Sequence, residues 1–246
     1  MGASKIRAII IILFIGINSC AMAETPEQIL SDAHLLGNDP NLVIDLTMQI
    51  ETTQGQKERK LEVYINREED ESKLLAQIVH PSFLRNMKFL NHRDKNGRED
   101  TWLKTSQGVR RLSTANNSEP LFGSDFTVED LSYFDTSELQ LELIESAGDD
   151  IHHLIKATPL SRHSGYSYKV IYIDKGSGIV ARVDFYRDKN LYKQYELIEF
   201  REINDKLYPV LCRMENFAQD SRTTLFVDQI DIVSAIPGRV FNKGNL

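Results

Sequence analysis

Lys60-Leu61-Glu62-Val63-Tyr64-Ile65-Asn66 decides the fold class. Leu61, Val63 and Ile65 alternate with Lys60, Glu62, Tyr64 and Asn66, the period of two that sends one set of side chains to each face of a β-strand. Similar runs occupy Lys73 to Val79, Met87 to His92, Asp100 to Lys104 and Val109 to Ser113. Gln54-Gly55, Lys95-Asn96-Gly97 and Gln107-Gly108 supply turn chemistry between them. Short strands joined by close turns predict an antiparallel meander, because parallel strands need long crossovers.

The meander breaks near Glu119. Thr127-Val128-Glu129-Asp130 reads as the capping sequence of a short helix, and Phe126 and Leu131 are placed for a hydrophobic staple across its start. Phe134 adds a third apolar group. Strand patterns then resume: Leu139 to Leu143, Ile151 to Ala157, Tyr166 to Ile173, Ile179 to Arg187, Tyr192 to Arg201, Leu207 to Asn216 and Thr223 to Val233. Asp149-Asp150, Lys175-Gly176-Ser177-Gly178, Asp188-Lys189-Asn190 and Asn204-Asp205-Lys206 are hairpin-like turns. Upstream, Thr25-Pro26-Glu27-Gln28 opens an amphipathic helix with a capping box, its apolar stripe on Ile29, Leu30, Ala33 and Leu36 and its end at Gly37. Ile236 to Phe241 closes the chain as a helical turn or a loop.

About eleven strands with few short helices predict a mainly β fold, one curved antiparallel sheet. A sheet this long must curl, and curling makes a concave face that the helices are placed to cover. Val170-Ile171-Tyr172-Ile173 is apolar on both faces. Ordinary packing on each side and an apolar cavity on one side account for it equally well.

The first twenty-three residues form a secretory leader. Lys5 and Arg7 precede the apolar run from Ala8 to Ile17, and Ala21-Met22-Ala23 offers a cleavage site before Glu24. An alternative is a lipobox at Ile17-Asn18-Ser19-Cys20, which would acylate Cys20 and tether the protein. Cys212 is the other cysteine, so an internal disulfide in the exported chain is not expected; its alternation with Val210 and Met214 predicts a packed thiol. Loss of the leader's two positive charges takes the formal net charge from -7 to about -9, which argues against nucleic acid.

The sequence lacks G-x-S-x-G, H-E-x-x-H, C-x-x-C and a phosphate loop. His152 and His153 are adjacent on a strand and point to opposite faces, poor geometry for a metal. Arg162-His163-Ser164 lies in a loop, and nearness in sequence does not build a triad. Asn116-Asn117-Ser118 is a glycosylation sequon only in a eukaryotic secretory pathway. No enzyme, metal or cofactor is expected. Phe83, Phe89, Trp102, Phe122, Phe126 and Phe134 cluster in or beside the first strand set and the insert; ordinary core explains any one of them, and as a group they suit a lined groove.

Trp102-Leu103, Val109-Arg110-Arg111-Leu112 and Phe122-Gly123-Ser124-Asp125-Phe126-Thr127-Val128-Glu129-Asp130-Leu131 together resemble the signature of LolA-like outer-membrane lipoprotein-sorting proteins. Val128 stands where that family usually has an aromatic. The resemblance covers nearly all of the mature chain, 24–246, as a single domain. It implies an incomplete, half-open β-barrel with helices as a lid over an apolar cavity. It further implies a monomeric periplasmic carrier or chaperone that shields lipid or lipoprotein acyl chains for transfer towards the outer membrane, with a transient membrane-protein partner. Phe83, Phe89, Trp102, Leu103, Phe122, Phe126, Leu131 and Phe134 are the candidate cavity and lid residues. The alternative is a cell-envelope regulator or adaptor that binds a membrane protein or lipid exporter.

Overall fold

The computed structural model describes residues 24–35, 39–68, 71–112, 118–131, 136–144 and 150–246. The leader, Cys20, Leu36, Gly37, Ser113, Asn116, Asn117, Phe134 and Asp149 fall outside them.

Helix α1 (Pro26–Asp32) begins with the expected capping box. Thr25 Oγ1 accepts from the Gln28 amide at 3.3 Å, and the Gln28 side chain accepts from the Thr25 amide at 3.0 Å. The helix ends at Asp32, with Ala33 as its C-cap, short of the end expected at Gly37. Seven residues cannot hold a helix in water unaided. α1 persists because Ile29, Leu30 and Ala33 are buried against the sheet.

The strands are β1 (Asn41–Thr52), β2 (Gly55–Glu68), β3 (Glu71–His80), β4 (Lys88–Arg93), β5 (Glu99–Thr105), β6 (Gly108–Leu112), β7 (Leu139–Ile144), β8 (His152–Pro159), β9 (Tyr168–Asp174), β10 (Val180–Arg187), β11 (Asn190–Ile203), β12 (Lys206–Asn216) and β13 (Ser221–Ile232). They form one antiparallel sheet in the order β6-β5-β4-β3-β2-β1-β13-β12-β11-β10-β9-β8-β7. The fold is thus mainly β, antiparallel and unclosed, as expected, with thirteen strands among the described residues instead of about eleven. β1 was absent from the expectation although Leu42, Ile44, Leu46, Met48 and Ile50 alternate along it and are buried. It is the central strand, paired with β2 on one side and with β13 on the other.

Turn residues behave as their chemistry requires. Gly55, Gly97, Gly108 and Gly178 have positive φ. Asn204 and Asp205 both take φ above zero, at 52° and 60°, the pair of left-handed residues that a tight type I′ hairpin needs.

The topology itself positions a cover. Strands β6 and β7 follow one another in the chain yet occupy opposite edges of the sheet. The connection between them must therefore cross from edge to edge. It does so over the inner face, because Leu121, Phe122 and Val128 pack with one core cluster there and Phe126 with another. We call residues 118–131 the insert. It contains a helical turn at Leu121–Gly123 and the short helix α2 (Val128–Leu131).

The first inner-face cluster lies over β1 to β6. It includes Leu42, Ile44, Leu46, Met48, Leu61, Val63, Ile78, Phe89 and Leu103. The second lies over β8 to β12 beneath α1, with Ile155, Ile171, Ile173, Val183, Phe185, Tyr195, Cys212 and Met214. Each fully buried side chain of this kind contributes about 1.5–3 kcal/mol relative to exposure. The outer face is covered separately. Phe241, Ile236, Val240 and Leu246 of the C-terminal segment pack on Leu75, Leu90, Trp102 and Tyr64. His92 Nε2 lies 2.9 Å from the Phe241 carbonyl, and Lys88 donates to the Asn245 carbonyl at 3.0 Å.

Candidate functional site

The insert meets the two halves of the inner face in different ways. Over β1 to β6 its contacts are apolar: Leu121, Phe122 and Val128 are buried in the first cluster and Leu131 packs against it. At its start Glu119 pairs with Arg110 of β6 on the surface.

Over the other half the contacts are ionic and buried. The strand register lines up Lys169 of β9, Phe185 of β10 and Lys193 of β11 as cross-strand neighbours. Both lysines stand where apolar inward residues precede or follow them, Ile171 and Ile173 on β9 and Tyr195 on β11. Lys193 is 1% exposed and Asp130 of the insert 0%, with 2.5 Å between Nζ and Oδ2. Lys193 also donates to the Asp125 carbonyl at 2.9 Å, and the Tyr166 hydroxyl donates to Asp130 Oδ1 at 2.7 Å. Glu129 Oε1 lies 3.9 Å from Lys169 Nζ and accepts from Ser164, while Glu129 Oε2 accepts from the Gly165 amide at 2.8 Å. Both ammonium groups also sit over the Tyr166 and Phe185 rings, at 5.2 to 5.8 Å from the centroids, where the ring faces attract a cation. Burial pulls the Lys169 pKa down, opposed by Glu129 and Asp130 and helped by Lys193.

Asp125 completes the anchor. Its carboxylate accepts from Ser221 at 2.5 Å and from Thr223 at 2.7 Å, and its own amide donates to Thr223 Oγ1 at 2.9 Å. Within the insert, Ser124 Oγ donates to the Leu121 carbonyl and accepts from the Phe126 amide. The Phe122-Gly123-Ser124-Asp125-Phe126 segment is thus a compact turn whose acidic side chain is aimed at β13.

These contacts amend two sequence expectations about α2. The capping sequence forms by half: Asp130 Oδ2 accepts from the Thr127 amide at 2.7 Å, while the Thr127 hydroxyl is buried without a hydrogen-bond partner. The staple between Phe126 and Leu131 gives way to a split, Phe126 in the second cluster and Leu131 against the first. The carboxylate is shared between the cap and Lys193, and this turns the two apolar ends to different halves. The cover is therefore not held by a small apolar contact alone.

Of the candidate site residues, Phe89, Leu103, Phe122 and Leu131 come together at the first cluster. Phe126 lies in the second, 6.5 Å edge-on from Tyr195. Trp102 faces outward with Phe241, because its neighbour Leu103 takes the inner position. Phe83 is 82% exposed in the turn after β3. Phe134 lies outside the described residues. Lys169, Lys193, Asp125, Glu129 and Asp130 were not foreseen as a unit; the available signal was a lysine in phase with inward apolar residues on each of two strands.

Other sequence candidates take structural roles. Ser164 binds Glu129 and accepts from the Tyr166 amide. Cys212 is buried, and burial pushes its thiol up to about 12. His153 lies 3.9 Å from Glu24, and His152 meets Tyr172 edge-on. Among the described residues no group of three His, Cys, Asp or Glu side chains is arranged to hold a metal ion.

The open antiparallel sheet of this protein is a fold it shares with solved structures. A putative outer membrane lipoprotein-sorting protein domain from Vibrio parahaemolyticus superposes with a TM-score of 0.77 at 24% identity, covering 89% of this chain and 95% of that one. A DUF1329 family protein from Desulfovibrio piger gives 0.75 at 20% identity, over 85% and 92%. A LolA superfamily protein from Nitrosomonas europaea gives 0.71 at 18% identity, over 91% and 100%. The chain belongs to a family described only as an uncharacterized protein, whose model matches residues 70–246. No curated protein matches it. Among the described residues no helix is long and apolar enough to cross a membrane.

Proposed function

We propose that the protein is an exported carrier or chaperone that shields acyl chains, those of lipoproteins among them, on the inner face of its half-barrel. The observation that carries this reading is the unequal hold on the insert. Its acidic side is fixed to β9, β11 and β13 by buried charge pairs and hydrogen bonds. Its apolar side rests on Met48, Phe89 and Leu103 and their neighbours without a second sheet above them. A cover anchored along one side and greasy on the other can admit an apolar guest beneath the greasy side. Each buried methylene contributes about 0.8 kcal/mol, so a few acyl chains give ample affinity without polar recognition. The relationship to a lipoprotein-sorting domain supports the same reading. Lys5, Arg7 and the Ala21-Met22-Ala23 site support export into the periplasm.

The test uses mature protein purified from its native envelope. Solvent extraction followed by mass spectrometry should yield co-purified acyl lipid, and a fluorescent acyl probe should bind at micromolar concentration. Absence of both sinks the carrier reading. A stoichiometric membrane protein recovered on lipid-free protein would favour an envelope adaptor instead.

A further inference from the structure

Among the described residues, one cation on the inner face has no anion paired with it. Arg59 of β2 is cross-strand partner to Met48 and lies two residues before Leu61, so it occupies the inward row of the first cluster. Its Nη1 is buried and has no hydrogen-bond partner. Burial lowers the guanidinium pKa. The contrast with Lys169 and Lys193 is direct, since both of those have carboxylates from the insert.

The insert passes over Arg59 at Gly123. That residue has φ +68°, and a Cβ there would lie 3.4 Å from both Nη1 and Nη2. Glycine thus serves twice, allowing the left-handed turn and letting the backbone of the insert pass close over the guanidinium without a side chain between them. No acidic side chain of the insert is spent on Arg59: Asp125, Glu129 and Asp130 point to the other half, and Glu119 pairs with Arg110 at the surface.

We propose that Arg59 receives the anionic head group, a carboxylate or a phosphate, of a lipid whose acyl chain lies along Met48, Ile50 and Leu61. This rests on the carrier reading and names the class of lipid carried. The chemistry fits the residue. A guanidinium presents parallel N–H donors that match a carboxylate or phosphate edge, and it is a weakly hydrated cation suited to an apolar setting. An uncharged lipid would leave the buried Nη1 without an acceptor, so the site discriminates by head group as well as by chain.

The experiment compares palmitate, hexadecyl phosphate and hexadecanol, which share one chain length, by displacement of a fluorescent acyl probe from the full mature protein. Inorganic phosphate alone is the fourth ligand. The expected result is that at least one of the two anionic lipids binds ten-fold or more tighter than hexadecanol, and that inorganic phosphate displaces nothing at millimolar concentration. In Arg59→Gln that preference should collapse to under three-fold, with hexadecanol affinity little changed; Arg59→Lys should fall between. Equal binding of all three lipids to the unaltered protein overturns the proposal and leaves the carrier reading intact. Binding of none of the three removes both. Displacement by inorganic phosphate alone marks a free-anion site and overturns the lipid assignment. The comparison on unaltered protein decides the matter even if the variants fail to fold.

Discussion

The two halves of the inner face receive the same insert, and they hold it by different physics. Over β8 to β13 the hold is made of three carboxylates, two lysines, a tyrosine, two serines and a threonine. Over β1 to β6 it is made of aliphatic and aromatic side chains laid on an apolar sheet, with one ion pair at the surface, Arg110–Glu119, and with Arg59 Nη1 below unbonded among the described residues. Apolar contact is tolerant of sliding and of replacement by another apolar group. A buried ion pair is not, because moving either partner leaves a charge stranded in a poor solvent. On the proposed carrier function, this difference makes one half the hinge side and the other half the side that yields.

The largest expected effect breaks the anchored half. In Asp130→Ala the Lys193 ammonium loses its carboxylate while 1% exposed, and the Tyr166 hydroxyl and the Thr127 amide lose an acceptor. The expected cost is about 3–5 kcal/mol, read as a lowered urea midpoint with the two-state slope retained. A cost under about 1 kcal/mol would mean that the insert is not anchored there, and the contrast between the halves would fall with it.

Alkali offers a milder probe of the same contrast. Burial pushes the Cys212 thiol, in the second cluster, from 9.0 to about 12. Burial and the hydrogen bond to Asp39 push Tyr208, in the first cluster, from 10.0 to about 12. Both folded values exceed the unfolded ones, so the stability they confer is whole below the unfolded pKa and is lost as pH rises towards the folded one. For Cys212 the loss should reach about 2–3 kcal/mol near pH ~11. Cys212→Ala should remove that part of the alkaline slope in urea titrations taken at several pH values. An unchanged slope would show that the thiol ionises without opening the second cluster.

Much of the fold was legible because β-structure writes itself in period two. The alternations at Leu61, Val63 and Ile65 and the turns at Gly108 and Asn204-Asp205 are local signals, and each formed as its chemistry required. The capping box at Thr25 is equally local. β1 carried the same signal in Leu42 to Ile50; its place between β2 and β13 depends on pairing across most of the chain, for which no local cue exists. The anchor was illegible for a related reason. Lys169 and Lys193 can be recognised as inward only by strand phase, and their partnership with Glu129 and Asp130 spans 40 and 63 residues. Trp102 and Leu103 were read together as groove residues, yet adjacent residues on a strand face opposite ways, and Leu103 took the inner face.

The smallest expected effect on stability bears most directly on the yielding half. Leu131 is only half-buried at the end of α2 and packs against the first cluster. A charge there does not disturb the ion pairs of Asp130 or Glu129, which point the other way. Leu131→Glu should therefore cost about 1–2 kcal/mol, the loss of a partly buried apolar side chain, and leave the β-rich circular dichroism spectrum unchanged. Its effect on an acyl probe should be larger, a ten-fold or greater loss of affinity, because the charge lies over the apolar side of the cover. Phe83→Ser is the matched control. With Phe83 82% exposed, the substitution should move stability by no more than about 0.5 kcal/mol and leave probe affinity within two-fold. If Leu131→Glu unfolds the protein, the apolar side of the insert is as fixed as the ionic side. If both variants bind the probe normally, the guest lies elsewhere on the inner face, beneath α1, and the first half of the sheet is core alone.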